Sequence, residues 1–102
     1  MGDFHLSAEN ELRALQREID EINLAILDLL SHRGKIVLRI GRIKSDRHVE
    51  KRDTQREEEQ IRYVLAANNG PYSDETVSKL FRLVFHASLN LMLAADGTPE
   101  NS

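Results

Sequence analysis

The sequence predicts an all-α domain of three helices, and three observations lead to this fold class. Apolar residues recur at alternating intervals of three and four along most of the chain, which is the spacing of one helix face. Capping residues and a strong stop signal mark helix ends in its second half. Charged residues make up 30% of the 102 residues and aromatic residues 5%, a composition that suits helices better than sheets. A chain of this length is expected to form one domain.

The first helix is predicted over residues 11–44, where the spacing of three and four runs without a proline. Gly34 and Gly41 each cost up to about 1 kcal/mol inside a helix. The apolar pattern continues through both, so we expect one helix of roughly 35 residues, about 50 Å long. The pattern, called the long stripe below, consists of Leu12, Leu15, Ile19, Ile22, Ile26, Leu29, Arg33, Ile36, Ile40 and Ile43.

A helix of this length exceeds the dimensions of a compact domain of about 100 residues, whose radius of gyration is near 13 Å. The long stripe therefore needs a partner, and a homodimer is the simplest one.

Two shorter helices are predicted after a polar connection over residues 45–52. Asp53 is a good N-cap for the second helix, which ends at the sequence NNGP. Ser73 is predicted to cap the third helix, and residues 96–102 are expected to form a tail after a domain ordered from about residue 9. The apolar face of the second helix is Ile61, Val64 and Leu65. The buried stripe of the third is Val77, Leu80, Phe81, Val84, Phe85, Leu91 and Met92.

Composition excludes several classes of function. A net charge of −3 gives no electrostatic reason to expect binding to nucleic acid or to an anionic membrane. The absence of cysteine excludes disulfides, thiolate catalysis and zinc–thiolate sites. The histidines lack metal-ligand spacing and no glycine-rich loop precedes a helix, so no metal or cofactor is expected. No uninterrupted apolar run approaches a membrane span and the N-terminus is unlike a signal peptide, so we expect a cytoplasmic location.

Four polar residues interrupt the apolar faces: Arg33 and Lys44 on the first helix, Glu57 on the second and Ser88 on the third. Each has an ordinary explanation, because long cations extend to solvent, acids stabilise helix starts, and serine packs easily. Together they have a second one, because buried charges are costly unless they are paired or bind a ligand. Two cations, a carboxylate and a hydroxyl that converge would bind a small polyanion.

Three segments carry a resemblance to a known family: IDEINLAILDLLSHRGKIVLRIGRIK, DTQRE and NNGPYSDETVSKLFRLVFHASLNL. They resemble the all-helical (AroQ-type) chorismate mutases over about residues 11–93. The likeness is greatest to the form fused to bacterial 3-deoxy-D-arabino-heptulosonate 7-phosphate synthases. It implies an intertwined homodimer of three-helix chains that rearranges chorismate to prephenate without a cofactor. Each of its two active sites would take one residue from the partner's first helix, and such a synthase is a possible partner protein.

The resemblance also implies roles for individual residues. Arg33, Lys44 and Glu57 match the residues expected to act in catalysis. Arg33 and Arg56 match cations near the substrate carboxylates and the corner between loop and helix. Lys44 matches the lysine that contacts a carboxylate and the ether oxygen. Asp53 and Glu57 fall where the family positions the substrate hydroxyl.

Three further substrate-binding positions follow from the same resemblance, and two of them depart from the family pattern. Ser88 matches a position that contacts a ring carboxylate. Gln16 stands where the family lends an arginine across the dimer, with Arg13 and Arg17 nearby as substitutes. Met92 stands where the family has a Gln or Glu that donates to the ether oxygen, which a thioether cannot do.

These departures leave three functions open. The first is a chorismate mutase, weak by itself or activated by a partner. The second is a domain with little activity that binds chorismate or prephenate and regulates an aromatic-pathway synthase. The third is a related enzyme that acts on isochorismate or an amino-substituted chorismate.

Overall fold

The structure is a computed structural model that describes residues 2–97, with side chains from His5 onward. Three α-helices make up the described chain, in the order α1 (Gly2–Asp46), α2 (Thr54–Ala67) and α3 (Asp74–Ala95). These residues contain no strand. The predicted all-α class and the number of helices are confirmed.

Helix α1 is longer than the sequence pattern indicated. It begins at Gly2 rather than near residue 11, and it ends at Asp46, within the predicted connection. Residues such as Leu6, Ala8 and Glu9 have high helix propensity, but they add no apolar periodicity that would have marked them as helical. The prediction that the helix continues through Gly34 and Gly41 is confirmed.

The chain divides into two units, Met1–Arg33 and Gly34–Ser102. The first unit contains the N-terminal part of α1, where every described side chain from His5 to His32 is exposed. The six aliphatic residues of the long stripe in this unit, from Leu12 to Leu29, are between 49% and 69% exposed. Apolar surface of this extent is usually an interaction surface in a soluble protein. The unit therefore leaves its stripe uncovered.

The second unit has a small core to which each helix contributes one buried apolar side chain, namely Val37, Ile61 and Phe85. Helix α2 packs along α3. The predicted α2 face is confirmed, with Val64 and Leu65 half-buried beside Ile61. On α1 the buried position is Val37 rather than a member of the long stripe. The stripe residues of this unit, Ile36, Ile40 and Ile43, stay 43–56% exposed.

The predicted α3 stripe is confirmed only in part. Phe85 is buried, and Val77, Phe81, Val84 and Met92 are half-buried, whereas Leu80 and Leu91 are exposed. The helical period predicted for α3 is therefore right, but within one chain only part of its apolar face is covered.

The helix ends follow local capping rules. Asp53 accepts a hydrogen bond from the backbone N–H of Arg56 at 3.0 Å, and Ser73 accepts one from Thr76 at 3.1 Å, as predicted. Helix α1 ends in a Schellman motif, in which the Val49 N–H donates to the carbonyl of Lys44 at 2.8 Å. His48 occupies the left-handed position of this motif, with φ of 55°.

The predicted tail requires one correction at its start. Asp96 is the C-cap of α3, and its carboxylate accepts a hydrogen bond from Ser45 and forms an ion pair with Lys51. Asp96 therefore belongs to the folded domain, because the hydroxyl of Ser45 and the ammonium of Lys51 both bind its carboxylate. Residues 98–102 lie outside the described part of the chain.

Helix α3 is long and apolar enough, by length and composition alone, to cross a membrane, with a mean hydropathy of 1.2 over its most apolar window. One such helix is weak support for a membrane span, because core helices of soluble proteins pass the same test. Lys79 and Arg82 interrupt its apolar sequence, and it packs against α2 with Phe85 buried. We therefore interpret α3 as a helix of the domain.

The close approach of α1 and α3 predicts the effect of a substitution at Gly41. A Cβ atom there would lie 2.9 Å from Cγ and 3.3 Å from Cβ of Met92. Since these atoms are near the root of the side chain, Gly41→Ala forces the helices apart. We expect it to lower the free energy of unfolding by roughly 1–3 kcal/mol, as overpacking does. The measurement is denaturant unfolding followed by circular dichroism.

Gly70→Ala is the matched control, because a Cβ at Gly70 would meet nothing within 4 Å. In a Met92→Ala background the contact at 2.9 Å is gone and only the Cβ at 3.3 Å remains. Gly41→Ala should then destabilise much less, because its higher helix propensity, worth up to about 1 kcal/mol, offsets the remaining contact. Equal effects of Gly41→Ala in both backgrounds would contradict the contact.

Candidate active site

Lys44 lies in the last turn of α1 and is half-buried. Its Nζ donates a hydrogen bond to the main-chain carbonyl of Lys51, at 2.9 Å, in the loop between α1 and α2. A lysine ammonium has three donors, and this carbonyl accepts one of them. The contact fixes the position of a long flexible side chain while leaving it able to bind an anion.

Glu57 lies in the first turn of α2, with its side chain 22% exposed. Its carboxylate forms an ion pair with Nε of Arg52 at 3.6 Å. An ionised carboxylate only accepts hydrogen bonds. Glu57 is therefore suited to bind a hydroxyl donor.

A cavity of about 220 Å³ opens beside this ion pair, between the start of α2 and the middle of α3. Its wall combines charged and apolar side chains, which is typical of sites for small polar ligands. It is lined by Arg52, Glu57, Arg82, Phe85, His86 and Leu89.

The other two predicted residues of this region serve the start of α2. The carboxylate of Asp53 caps the helix, so its position is fixed by the backbone. Arg56 is exposed, and its Nη1 donates to Glu59 at 3.2 Å. Its guanidinium therefore makes a surface ion pair rather than facing the core of the second unit.

On α3, Ser88 is half-buried and its hydroxyl donates to the carbonyl of Val84 at 2.8 Å. This is the common i−4 bond of a helical serine. Met92, one turn later, lies against Gly41 and borders a second cavity, of about 270 Å³. That cavity is lined by Leu38, Gly41, Arg42, Met92, Ala95 and Asp96.

Two predicted residues, Arg33 and Gln16, belong to the first unit. Arg33 is half-buried, and burial lowers the pKa of its guanidinium from the usual value. Arginine nevertheless keeps its charge in proteins. Gln16 is exposed, as are the two nearby arginines, of which Arg13 pairs with Glu9 at 3.9 Å.

Within the second unit, Lys44 contacts the main chain at Lys51, two residues before the N-cap Asp53, and Glu57 lies in the helical turn that Asp53 caps. Glu57 and Met92 border different cavities. The sequence reasoning missed Arg52 as a partner of Glu57. The sequence did contain a signal for this ion pair, because an arginine directly before an N-cap lies close to the first turn of the helix. The described residues contain no group of three side chains that could hold a metal ion.

Solved structures share this arrangement of helices. Chorismate mutase form II from Thermus thermophilus is 45% identical, with a TM-score of 0.79 over 80% of this chain and 93% of that chain. Form I from the same organism is also 45% identical, with a TM-score of 0.75 over 76% and 98% of the two chains.

Curated relatives are bifunctional chorismate mutase/prephenate dehydratases. The protein from Aquifex aeolicus (strain VF5) is 35% identical over 85 residues, which are 79% of this chain and 24% of that protein. The protein from Stutzerimonas stutzeri is 28% identical over 91 residues, 84% of this chain and 25% of that protein. The chain thus spans about a quarter of the length of these relatives. They carry a dehydratase rather than the synthase that the sequence resemblance suggested.

The family model for chorismate mutase type II matches residues 15–93, which include most of α1 and α3, all of α2 and every predicted site residue. With this match over most of its length, the chain belongs to the chorismate mutase type II family.

Proposed function

We propose that this domain rearranges chorismate to prephenate. In that reaction the ether C–O bond breaks while a C–C bond forms within the same molecule, so no nucleophile, metal or cofactor takes part. The protein has to hold a dianion in its reactive shape and place a donor where the ether oxygen becomes negative. Membership of the mutase family supports this reaction.

The observation that carries the proposal is the ammonium of Lys44, half-buried and held at 2.9 Å by a main-chain carbonyl. A donor fixed before the substrate arrives needs no reorganisation when charge develops on the ether oxygen. We assign Lys44 to a substrate carboxylate and to that oxygen. Arg33, charged and half-buried, is assigned to the other carboxylate.

Glu57 is assigned to the substrate hydroxyl, because its carboxylate lines the cavity beside Arg52 and can accept a further hydrogen bond. Asp53 contributes through the backbone that it caps, and Ser88 through its hydroxyl. Arg56 is assigned to the entrance, where an exposed cation attracts a dianion.

We further propose that the active form is a homodimer. The cavity beside Glu57 measures about 220 Å³, below the roughly 300–1,000 Å³ of typical ligand sites. The long stripe leaves six aliphatic side chains exposed in the first unit. A second copy would cover this stripe and bring Gln16 of the partner subunit towards the substrate.

A second candidate function is a domain that binds chorismate or prephenate with little turnover. The observation that favours it is the thioether of Met92, which lies against Gly41 and cannot donate to an ether oxygen. Such a domain would regulate a synthase or dehydratase, as a fused or separate partner. Action on isochorismate or amino-chorismate, and the cytoplasmic location, also stay predictions from the sequence.

The first test removes the charge of Lys44. Lys44→Met keeps the length of the side chain but has no donor, so we expect kcat/KM for chorismate to fall by about 10²–10³-fold, as for other fixed transition-state donors. Loss of chorismate absorbance measures the rate. Lys35→Met, at a lysine elsewhere on the same helix, is the matched control. Equal turnover by the two variants would contradict the assignment of Lys44.

The second test introduces the donor that the family has at position 92 and that this chain lacks. Met92→Gln is close in size and provides an amide N–H, so we expect kcat to rise by roughly tenfold or more if the pocket is catalytic. Gln16→Arg should act in the same direction by adding a cation for a carboxylate. Met92→Leu, apolar and of similar size, should bring no increase. No turnover in any variant, together with measurable binding of prephenate, would support the binding domain instead.

The third test concerns the dimer. Sedimentation equilibrium should give twice the chain mass of 11.7 kDa. Ile26→Asp places a charge within the long stripe and should yield monomers with little activity. Leu24→Glu is the control, since Leu24 is also exposed but lies on the opposite side of α1. A monomeric parent protein with full turnover would rule out the shared site.

A further inference from the structure

We propose that the ion pair between Lys51 and Asp96 is a latch that joins the end of α3 to the loop between α1 and α2 and thereby positions the ammonium of Lys44. The catalytic consequence of this inference rests on the proposed function, whereas the positioning itself does not. Lys51 and Asp96 are thus positioning residues, which act on the substrate only through Lys44.

The latch is part of a cluster of three side chains from three parts of the second unit. Ser45 comes from the last turn of α1, Lys51 from the loop, and Asp96 from the C-cap of α3. The Ser45 hydroxyl donates to Oδ2 of Asp96 at 2.8 Å, and the Lys51 ammonium donates to the Ser45 hydroxyl at 3.4 Å. The same ammonium forms the ion pair with Asp96.

This pair is better shielded from water than the other ion pairs of the described residues. The Lys51 side chain is 15% exposed and that of Asp96 is 27% exposed. By contrast, the pair between Lys79 and Glu75 is 74% and 78% exposed. Exposed pairs contribute little, because water and salt screen them, while shielded pairs are screened less. The latch is therefore the ion pair most able to fix a backbone position.

Lys51 makes two connections at once, and this links the latch to Lys44. Its side chain binds Asp96, while its main-chain carbonyl accepts the hydrogen bond from the Lys44 ammonium. The loop is already fixed at its start, where Val49 donates to the Lys44 carbonyl, and at its end, where Asp53 caps α2. The ion pair fixes the residue between these two points, and so fixes the carbonyl that holds Lys44.

The location of Asp96 at the C-terminus of α3 also supports its role in the latch. A carboxylate at the C-terminus of a helix is unfavourable, because it meets the negative end of the helix dipole. The hydrogen bonds from Lys51 and Ser45 outweigh this and hold the pKa of the Asp96 carboxyl below its usual value. A lowered pKa means that the contribution to stability is present above the ordinary pKa of aspartate and is lost as the pH falls through the lowered value. The latch is therefore closed at neutral pH.

The test measures the position of Lys44 directly and turnover separately. In the full chain, each lysine is labelled with acetic anhydride and quantified by peptide mass spectrometry. Asp96→Asn and Lys51→Met should each raise the labelling rate of Lys44 several-fold, because its carbonyl acceptor is no longer fixed. Glu75→Gln breaks an exposed ion pair of α3 and should leave Lys44 unchanged. Unchanged labelling of Lys44 in both latch variants overturns the proposal.

Turnover of chorismate is then measured for the same variants. We expect kcat to fall several-fold in Asp96→Asn and in Lys51→Met, with no further fall in the double variant, because both remove the same contact. Asp96→Glu should recover part of the rate. If labelling rises while turnover is unaffected, the latch stands and the catalytic assignment of Lys44 fails. Independent losses that add in the double variant would mean that the two residues do not act as a pair.

Discussion

The close approach of α3 to α1 at Gly41 decides where the polar residues at this end of the second unit lie. Because glycine has no Cβ, the side chain of Met92 lies directly against the α1 backbone. One turn further on, this contact brings Asp96 within reach of Lys51. The carbonyl of Lys51 in turn holds the ammonium of Lys44. A small residue in one helix thus sets the position of a charge on which the proposed chemistry depends.

Three consecutive residues of the loop each make a contact that helps to arrange the site. Lys51 connects α1 with the end of α3, Arg52 pairs with Glu57, and Asp53 caps α2. Two of these contacts are ion pairs and the third is a helix cap, so the loop is fixed at successive positions although it contains no regular structure. The charges in this stretch are therefore mostly structural, and they leave Lys44 and Glu57 with defined positions and with capacity to bind a ligand.

The sequence was sufficient to predict the parts of the fold that depend on local chemistry. Asp53 and Ser73 mark helix starts because their side chains accept from N–H groups three residues away. Burial was predicted less well, since Val37, outside the long stripe, lies in the core while Ile36 and Ile40 stay exposed. The period of a pattern shows that one face is apolar, but it does not show which side of that face meets a helix of the same chain.

The polar contacts of the candidate site also divide into those that the sequence predicts and those that depend on the tertiary fold. The half-burial of Lys44 and Glu57 could be predicted from their places on apolar faces. The ion pair of Lys51 with Asp96 could not, because both residues lie outside any periodic segment and meet only through the tertiary fold. The sequence around Asp96 in particular does not predict an ion pair, because an aspartate directly before a glycine indicates only the end of a helix.

The acceptor for Lys44 is a main-chain carbonyl, and this has a consequence for substitutions at position 51. A carbonyl is present whatever side chain occupies position 51, so mutation there cannot delete the bonding partner. It can only release the loop that carries it. If the proposed latch is right, a substitution at position 51 weakens the positioning of Lys44 without removing its acceptor, and a complementary side chain at position 96 is the way to restore it.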